Sequence, residues 1–98
     1  MILVQDTFVC KPGNASKLAK MFKESMALQP ETKYVLTDMT GQWHRVIMVS
    51  ELTSLAAFEE NWKKMMENPT EEMKKDMERY KNMNEMYVSG SREIFRVW

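Results

Sequence analysis

Cysteine, histidine, glycine and proline are scarce in this 98-residue chain, which has one cysteine, one histidine, three glycines and three prolines. Since Cys10 has no second cysteine to pair with, no disulfide can form within the chain, as is typical of a reducing compartment such as the cytoplasm. Three glycines are too few for a glycine-rich phosphate-binding loop. One histidine and one distant cysteine are too few to ligate zinc or iron. We therefore expect no metal site and no cofactor.

Long apolar runs and an excess of one charge are also missing. The opening MILV is apolar for only a few residues before Gln5, which is too short for a signal-peptide core. No run approaches the roughly 18 apolar residues of a membrane-spanning helix. The 14 Lys and Arg residues balance the 14 Asp and Glu residues, so no net field would attract nucleic acid or an anionic membrane. We expect a cytoplasmic protein with no nucleic-acid partner and no membrane partner.

A regular succession of apolar patterns runs along one predicted domain, residues 1–98. β-Branched apolar segments predict strands, and apolar residues three and four apart predict helices. The strands are predicted at 2–11, 33–40, 45–52 and 92–98, with a hairpin at 41–43 and a turn at 89–91; the helices follow caps at Asn14, at Thr53 or Ser54, and at Asn68. This order predicts an α+β, ferredoxin-like βαββαβ fold, with a four-stranded antiparallel sheet and helices on one face.

The predicted strands are apolar on both faces, although helices would cover only one of them. One register contains Val4, Phe8, Cys10, Leu36, Val46, Met48, Ile94 and Trp98, and the other contains Leu3, Val9, Val35, Met39, Ile47, Val49, Phe95 and Val97. The pattern does not decide which register faces the helices. Because soluble monomers rarely expose an apolar patch above a few hundred Å², we predict a homodimer joined through the uncovered sheet face.

Three segments carry a resemblance to a known superfamily. KPGNASKLAKMF follows the first strand, GQWHRVIMVSELTSLAAFEENW leads into the second helix, and ENPTEEM opens the last helix. Together they resemble the dimeric α+β barrel superfamily, in particular its NIPSNAP-like and antibiotic-biosynthesis-monooxygenase-like branches. The resemblance implies a barrel built from two sheets and a pocket in each protomer between sheet and helices. Members include cofactor-independent oxygenases, haem-degrading enzymes, isomerases and proteins without known activity, so the fold alone does not settle the function.

His44 is the first candidate for a functional side chain. Its ordinary pKa near 6.5 suits a base or a hydrogen-bond donor at neutral pH, and Trp43 and Arg45 beside it could bind an aromatic or anionic ligand. Residues next to each other on a strand point to opposite sides, however, which separates His44 from its two neighbours. The alternative is that His44 is simply a polar residue at the end of a hairpin.

Asp6, Tyr80 and Asn84 are further ligand-binding candidates. A carboxylate of Asp6 that faces a pocket could act as a base, but it could equally be paired with Arg92 or Arg96 of the last strand. Tyr80 and Asn84 interrupt an apolar stripe of the third predicted helix, where a ligand could satisfy the amide. The alternative for Asn84 is that water reaches it near the helix end.

The resemblance also bears on the activity. The haem-degrading branch carries an asparagine on its first strand and a histidine on a late helix, whereas this chain has Asp6 and no histidine after His44, so haem degradation is disfavoured. The oxygenase branch uses asparagine, tryptophan and arginine in its pocket, and Asn84, Trp62 and Arg92 are of these types, although the pattern of Trp62 also fits a core residue. We predict a protein that binds a small, mostly apolar or aromatic molecule, with cofactor-independent oxygenation as its candidate activity. The alternative is a non-catalytic dimerisation or binding module.

Overall fold

The computed structural model describes residues 1–98 and contains one four-stranded antiparallel sheet with its helices on one side. The strands are β1 (Ile2–Cys10), β2 (Thr32–Thr37), β3 (Arg45–Leu52) and β4 (Tyr87–Arg96), and the helices are α1 (Ala15–Ser25), α2 (Leu55–Glu67) and α3 (Glu71–Glu78). The strand order is β2-β3-β1-β4. This architecture confirms the predicted α+β, ferredoxin-like fold. None of the helices is both long enough and apolar enough to cross a membrane.

The core lies between α1 and the middle of the sheet. Leu18 and Phe22, one helical turn apart on α1, pack with Cys10 of β1 and Val46 of β3, and all four are buried. Phe8 extends this cluster, with its ring 5.3 Å from the Phe22 ring. The helical spacing of the apolar residues on α1 therefore places one stripe on the two central strands.

Side-chain oxygens begin the other two helices. The Ser54 hydroxyl accepts a hydrogen bond from the backbone N–H of Ala57 at the start of α2, and Thr70 accepts one from Met73 at the start of α3. Thr70, and not Asn68, is therefore the cap of α3. Asn68 instead ends α2, where its own backbone N–H donates to the carbonyl of Lys64, so the predicted helix cap at Asn68 is wrong.

The face assignment of β2 differs from the predicted registers. Val35 pairs with Met48 on the helix side of the sheet, whereas Leu36 pairs with Ile47 on the uncovered side. The reason is a register shift between Thr32 and Tyr34, because one extra residue in a strand reverses the side on which all later residues point. A seven-residue connection at 38–44, longer than a tight hairpin turn, does not fix the register either.

The last strand begins earlier than the sequence predicts. Residues 89–91, predicted as a turn, lie inside β4 and pair with Thr7, Phe8 and Val9 of β1. Gly90 lies against the Phe8 ring, since a Cβ at that position would be 3.4 Å from a ring carbon. The small residues therefore permit close ring packing across the ladder, and the turn-like composition is misleading at this point.

Candidate functional site

A cleft of about 680 Å³ lies between the helix side of the sheet and α2. No residue of α2 is buried, so this helix stands away from the strands and leaves the space open. The segment before β2 and the connection from α2 to α3 form its rim. Apolar side chains provide most of its walls, namely Val4, Met48, Leu52, Phe58, Trp62 and Met65.

The periodicity of two elements brings these side chains together. Alternate residues of β1 face the helices, so Val4 and Asp6 both reach the cleft, opposite Ser50 and Met48 of β3. On α2, residues three and four apart share one face, which places Phe58, Asn61, Trp62 and Met65 along the cleft. The alternation of side chains along the strands thus forms one wall of the cleft, and the helical spacing along α2 forms the other.

Arg92 and Asp6 form the charged part of the cleft. They are register partners on β4 and β1, and the Arg92 Nε donates to the Asp6 Oδ1 at 2.6 Å while Nη2 lies 3.4 Å from Oδ2. The guanidinium carbon is 5.1 Å from the centre of the Phe58 ring and 5.4 Å from the Trp62 ring. The pairing of Asp6 with Arg92, one of the two alternatives from the sequence, is confirmed, and both residues line the cleft.

His44 and Trp43 lie at the other end of the sheet. The carbonyl of His44 accepts a hydrogen bond of 2.7 Å from the backbone N–H of Cys10, which is four residues, or about 13 Å of strand, from Asp6. Both side chains are exposed, and both backbones have positive φ, 60° for Trp43 and 59° for His44. The structure therefore does not bring either residue to the cleft.

Tyr80 is part of a buried polar cluster between α1 and the end of α3. Its hydroxyl donates to the Met21 carbonyl at 3.0 Å and also hydrogen bonds with Ser25, which in turn donates to Asp76 at 2.9 Å. Its ring stacks on Phe22 at 5.8 Å. Burial raises the pKa of the Tyr80 phenol, the hydrogen bond with Ser25 lowers it, and the nearby Asp76 carboxylate raises it. These contacts hold two helical segments together, away from the cleft.

Asn84 does not face the core. The third helix ends at Glu78, and Asn84 lies in a separate 3₁₀ turn, exposed, with its side-chain oxygen accepting a 3.1 Å hydrogen bond from Tyr87. The predicted stripe that would have turned Asn84 inward requires a helix continuing beyond Glu78. That prediction is therefore wrong in its geometry.

Of the six candidates from the sequence, Asp6 and Trp62 reach the cleft, and Trp62 lines it without being buried, with 46% of its surface exposed. Sequence reasoning missed Phe58 and Asn61 as cleft residues. Their spacing to Met65, seven and four residues, was the available signal, because it places an amide on the same face as the aromatic residues. No group of three or more His, Cys, Asp or Glu side chains is close enough to hold a metal ion.

Comparisons with known proteins support the fold. No family model and no curated protein matches the chain. Among solved structures, a NIPSNAP-like domain protein from Burkholderia xenovorans superposes with a TM-score of 0.78 at 17% identity, over 99% of this chain and 84% of the other. A NIPSNAP family protein from Agrobacterium tumefaciens gives a TM-score of 0.76 at 18% identity, over 98% of this chain and 85% of the other.

A third similar structure comes from the other branch. A candidate antibiotic biosynthesis monooxygenase from Deinococcus radiodurans gives a TM-score of 0.61 at 11% identity, over 100% of this chain and 93% of the other. At such identities the likeness shows the shared fold and not a shared activity. The predicted resemblance to NIPSNAP-like and antibiotic-biosynthesis-monooxygenase-like proteins is thereby confirmed at the level of the protomer fold.

Proposed function

We propose that the protein binds a small, mostly apolar, ring-containing molecule in the cleft between α2 and the sheet, and that it does so as a homodimer. One observation carries the proposal: the Phe58 and Trp62 rings flank the Arg92 guanidinium inside a cleft of about 680 Å³. Ligand pockets of roughly 300–1,000 Å³ are typically apolar with a few placed polar groups. This cleft has that size and composition.

The apolar walls and the polar groups have separate tasks in such a complex. Met48 and Met65 offer flexible thioether side chains that adapt to a ligand's outline, while Trp62 offers a broad ring for stacking. Asn61 and Arg92 offer hydrogen-bond donors that would fix the orientation of the ligand. A ring system with one or two polar substituents fits this division.

The uncovered sheet face supports the homodimer. Its side chains include Leu3, Val9, Tyr34, Leu36, Ile47, Val49 and Phe95, and three of them, Tyr34, Leu36 and Phe95, are 61%, 44% and 46% exposed in the protomer. A patch that spans all four strands exceeds what soluble monomers usually leave in water. A second copy, packed about a two-fold axis, covers the face with the same face.

Cofactor-independent oxygenation is the second candidate function, and a specific grouping favours it. Asn61, Trp62 and Arg92 line one cleft, and they are of the three residue types that the resemblance to the oxygenase branch implies. The asparagine of this set is Asn61, whereas the sequence alone indicated Asn84. In such a reaction O₂ oxidises a ring CH₂ to a carbonyl and leaves one oxygen atom in water. A cation beside the ring stabilises negative charge that develops on it, and Arg92 is in position for this.

The binding proposal is tested by calorimetric titration with neutral naphthalene derivatives. Trp62→Ala should weaken binding by about tenfold, since a stacked ring contributes about 1.4 kcal/mol or more. Trp43→Ala is the matched control, because Trp43 is exposed at the far end of the sheet, and it should bind as the wild type does. Equal effects of the two substitutions, or no binding by the wild type, would contradict the proposal.

The oxygenase candidate needs a separate measurement. Oxygen uptake is followed with polyketide-like phenols that contain an activated ring CH₂, without added metal or flavin. Uptake that depends on Arg92 and Asn61 would favour the enzyme. Ligand binding without any oxygen uptake would favour the non-catalytic binding module.

A further inference from the structure

The ion pair in the cleft has a side-on geometry that occupies one whole edge of the Arg92 guanidinium. Nε and Nη2 both point at the Asp6 carboxylate, at 2.6 and 3.4 Å. This is one of the two edges with which an arginine binds a carboxylate or a phosphate in two parallel hydrogen bonds, the other being the Nη1–Nη2 edge. In this protein an internal carboxylate already occupies the Nε–Nη2 edge and neutralises the charge of the guanidinium.

Two aromatic rings hold the same guanidinium in place. Phe58 and Trp62 lie within 5.5 Å of its central carbon, at 5.1 and 5.4 Å, the range in which a ring attracts a cation. Arg92 Nη1, by contrast, makes no hydrogen bond within the chain. The arginine is therefore held by Asp6, Phe58 and Trp62, and its Nη1 group remains available as a hydrogen-bond donor for a ligand.

The charge of the cleft as a whole is balanced. Its charged lining residues are Asp6, Glu31, Lys64 and Arg92, two of each sign. The Asp6 side chain is only 15% exposed, so water screens its carboxylate less than it screens a surface group. An anion that approaches Arg92 meets the Asp6 carboxylate beside it, and the cleft offers no net attraction in return.

We propose that Asp6 determines the charge selectivity of this cleft: by neutralising Arg92 and occupying its Nε–Nη2 edge, it makes the site accept uncharged ring compounds and reject acids of the same shape. The ligand class is then a neutral aromatic or polycyclic molecule with a carbonyl, amide or hydroxyl oxygen that accepts a hydrogen bond from Nη1. This inference rests on the proposed binding function and adds the identity of the ligand class to it.

The test compares 2-naphthamide with 2-naphthoate, which have nearly the same shape but differ in charge at neutral pH. The wild type should bind the amide more tightly than the acid by about tenfold, because the acid must leave water beside the Asp6 carboxylate in a cleft without net positive charge. Asp6→Asn keeps the outline of the side chain and removes its charge, so it should raise the affinity for 2-naphthoate by about tenfold and abolish the preference for the amide. Calorimetric titration measures both dissociation constants for each variant.

Asp38→Asn is the matched control. Asp38 is also an aspartate paired with an arginine, 3.0 Å from the Arg45 Nε, but it does not line the cleft. This substitution should leave the ratio of the two affinities at the wild-type value. A preference that shifts equally in both variants would assign the effect to a general change of charge and overturn the inference.

The two proposals fail in different ways. If both probes bind and Asp6→Asn leaves their ratio unchanged, the selectivity inference is wrong and the binding proposal stands. If neither probe binds to the folded wild type, both the binding proposal and the selectivity inference are wrong. Should Asp6→Asn not fold, the wild-type ratio decides alone, because tighter binding of 2-naphthoate than of 2-naphthamide overturns the role of Asp6.

Discussion

Tyr34 of β2 lies directly opposite Val49 of β3 on the uncovered face of the sheet. Since β3 is an interior strand, a charge at position 49 would fall inside the proposed dimer interface. We expect Val49→Asp to convert the dimer into a folded monomer, because a buried unpaired carboxylate costs several kcal/mol at an interface. Sedimentation equilibrium measures the mass, and circular dichroism measures the fold.

The control for this substitution lies on the same strand. Val46 faces the other way and is completely buried against Leu18 and Phe22. Val46→Asp should therefore unfold the protomer and not merely separate two copies. A dimer that survives Val49→Asp, or the same outcome for both variants, would contradict the assignment of the interface.

The elements with strong local patterns were predictable from sequence. Leu18 and Phe22 on α1 and Phe58 and Trp62 on α2 follow the helical period, which needs no knowledge of the rest of the chain. The face of β2 was not predictable, because it depends on a register shift near Thr32 that no local pattern marks. Chain-local signals thus describe helices better than strand registers in this protein.

The candidate site was predictable in part for the same reason. Asp6 and Arg92 are 86 residues apart, and charge complementarity alone suggested the pair without fixing its place in a cleft. The misplaced Asn84 shows the opposite error, in which an apolar stripe was extended past Glu78, the end of α3. Non-local pairing of β1 with β4 decides the position of the ion pair, and no short window of sequence contains it.

The Asp6–Arg92 pair should contribute to stability as well as to binding. We expect Asp6→Asn and Arg92→Met each to lower the free energy of unfolding, with a coupling of about 1 kcal/mol between them, since the carboxylate is mostly buried while the guanidinium is partly in water. Urea unfolding of the two single variants and the double variant measures this coupling. Strictly additive effects would mean that the pair contributes nothing to the fold.

The free energy of unfolding should depend on the ionisation of Tyr80 at alkaline pH. Burial, as the main cause, raises the pKa of this phenol above its ordinary value of 10.0, so the unfolded chain loses the proton first. The stabilisation is complete below pH 10.0 and decreases as the pH rises through the folded-state pKa. Tyr80→Phe should therefore show a smaller decline above pH 10.0 than the wild type.

The same substitution also has an effect at neutral pH. Tyr80→Phe removes hydrogen bonds to Met21 and Ser25 and should lower the free energy of unfolding by about 1–2 kcal/mol. Tyr87→Phe, which removes a hydrogen bond of an exposed pair, is the control and should change it by less than about 0.5 kcal/mol. An equal loss in both variants would show that the buried cluster does not connect α1 to α3 as we infer.

His44 should act on stability and not on ligand binding. Its φ of 59° places a non-glycine residue in the left-handed region, which costs about 1–2 kcal/mol. Glycine removes this strain, but it loses more backbone entropy on folding, which offsets part of the gain. We expect His44→Gly to raise the free energy of unfolding by about 0.5 kcal/mol and to leave the affinity for neutral ring compounds unchanged. Gln42→Gly, in the same connection but without positive φ, should lower the free energy of unfolding. A loss of ligand binding in His44→Gly would show instead that His44 belongs to the binding site.

β1 lies between β3 and β4 in the sheet, so the first of the four strands along the chain has the third strand as one neighbour and the fourth strand as the other. During synthesis β1 can pair with Arg45–Leu52 early, but its second edge stays open until Tyr87–Arg96 has emerged. Until then Asp6 has no Arg92 to pair with. An unpaired strand edge is also the part of a sheet that pairs with other chains. A nascent chain stalled before β4 would therefore present an unpaired strand edge, and the proposed binding cleft would lack Arg92 until β4 had been made.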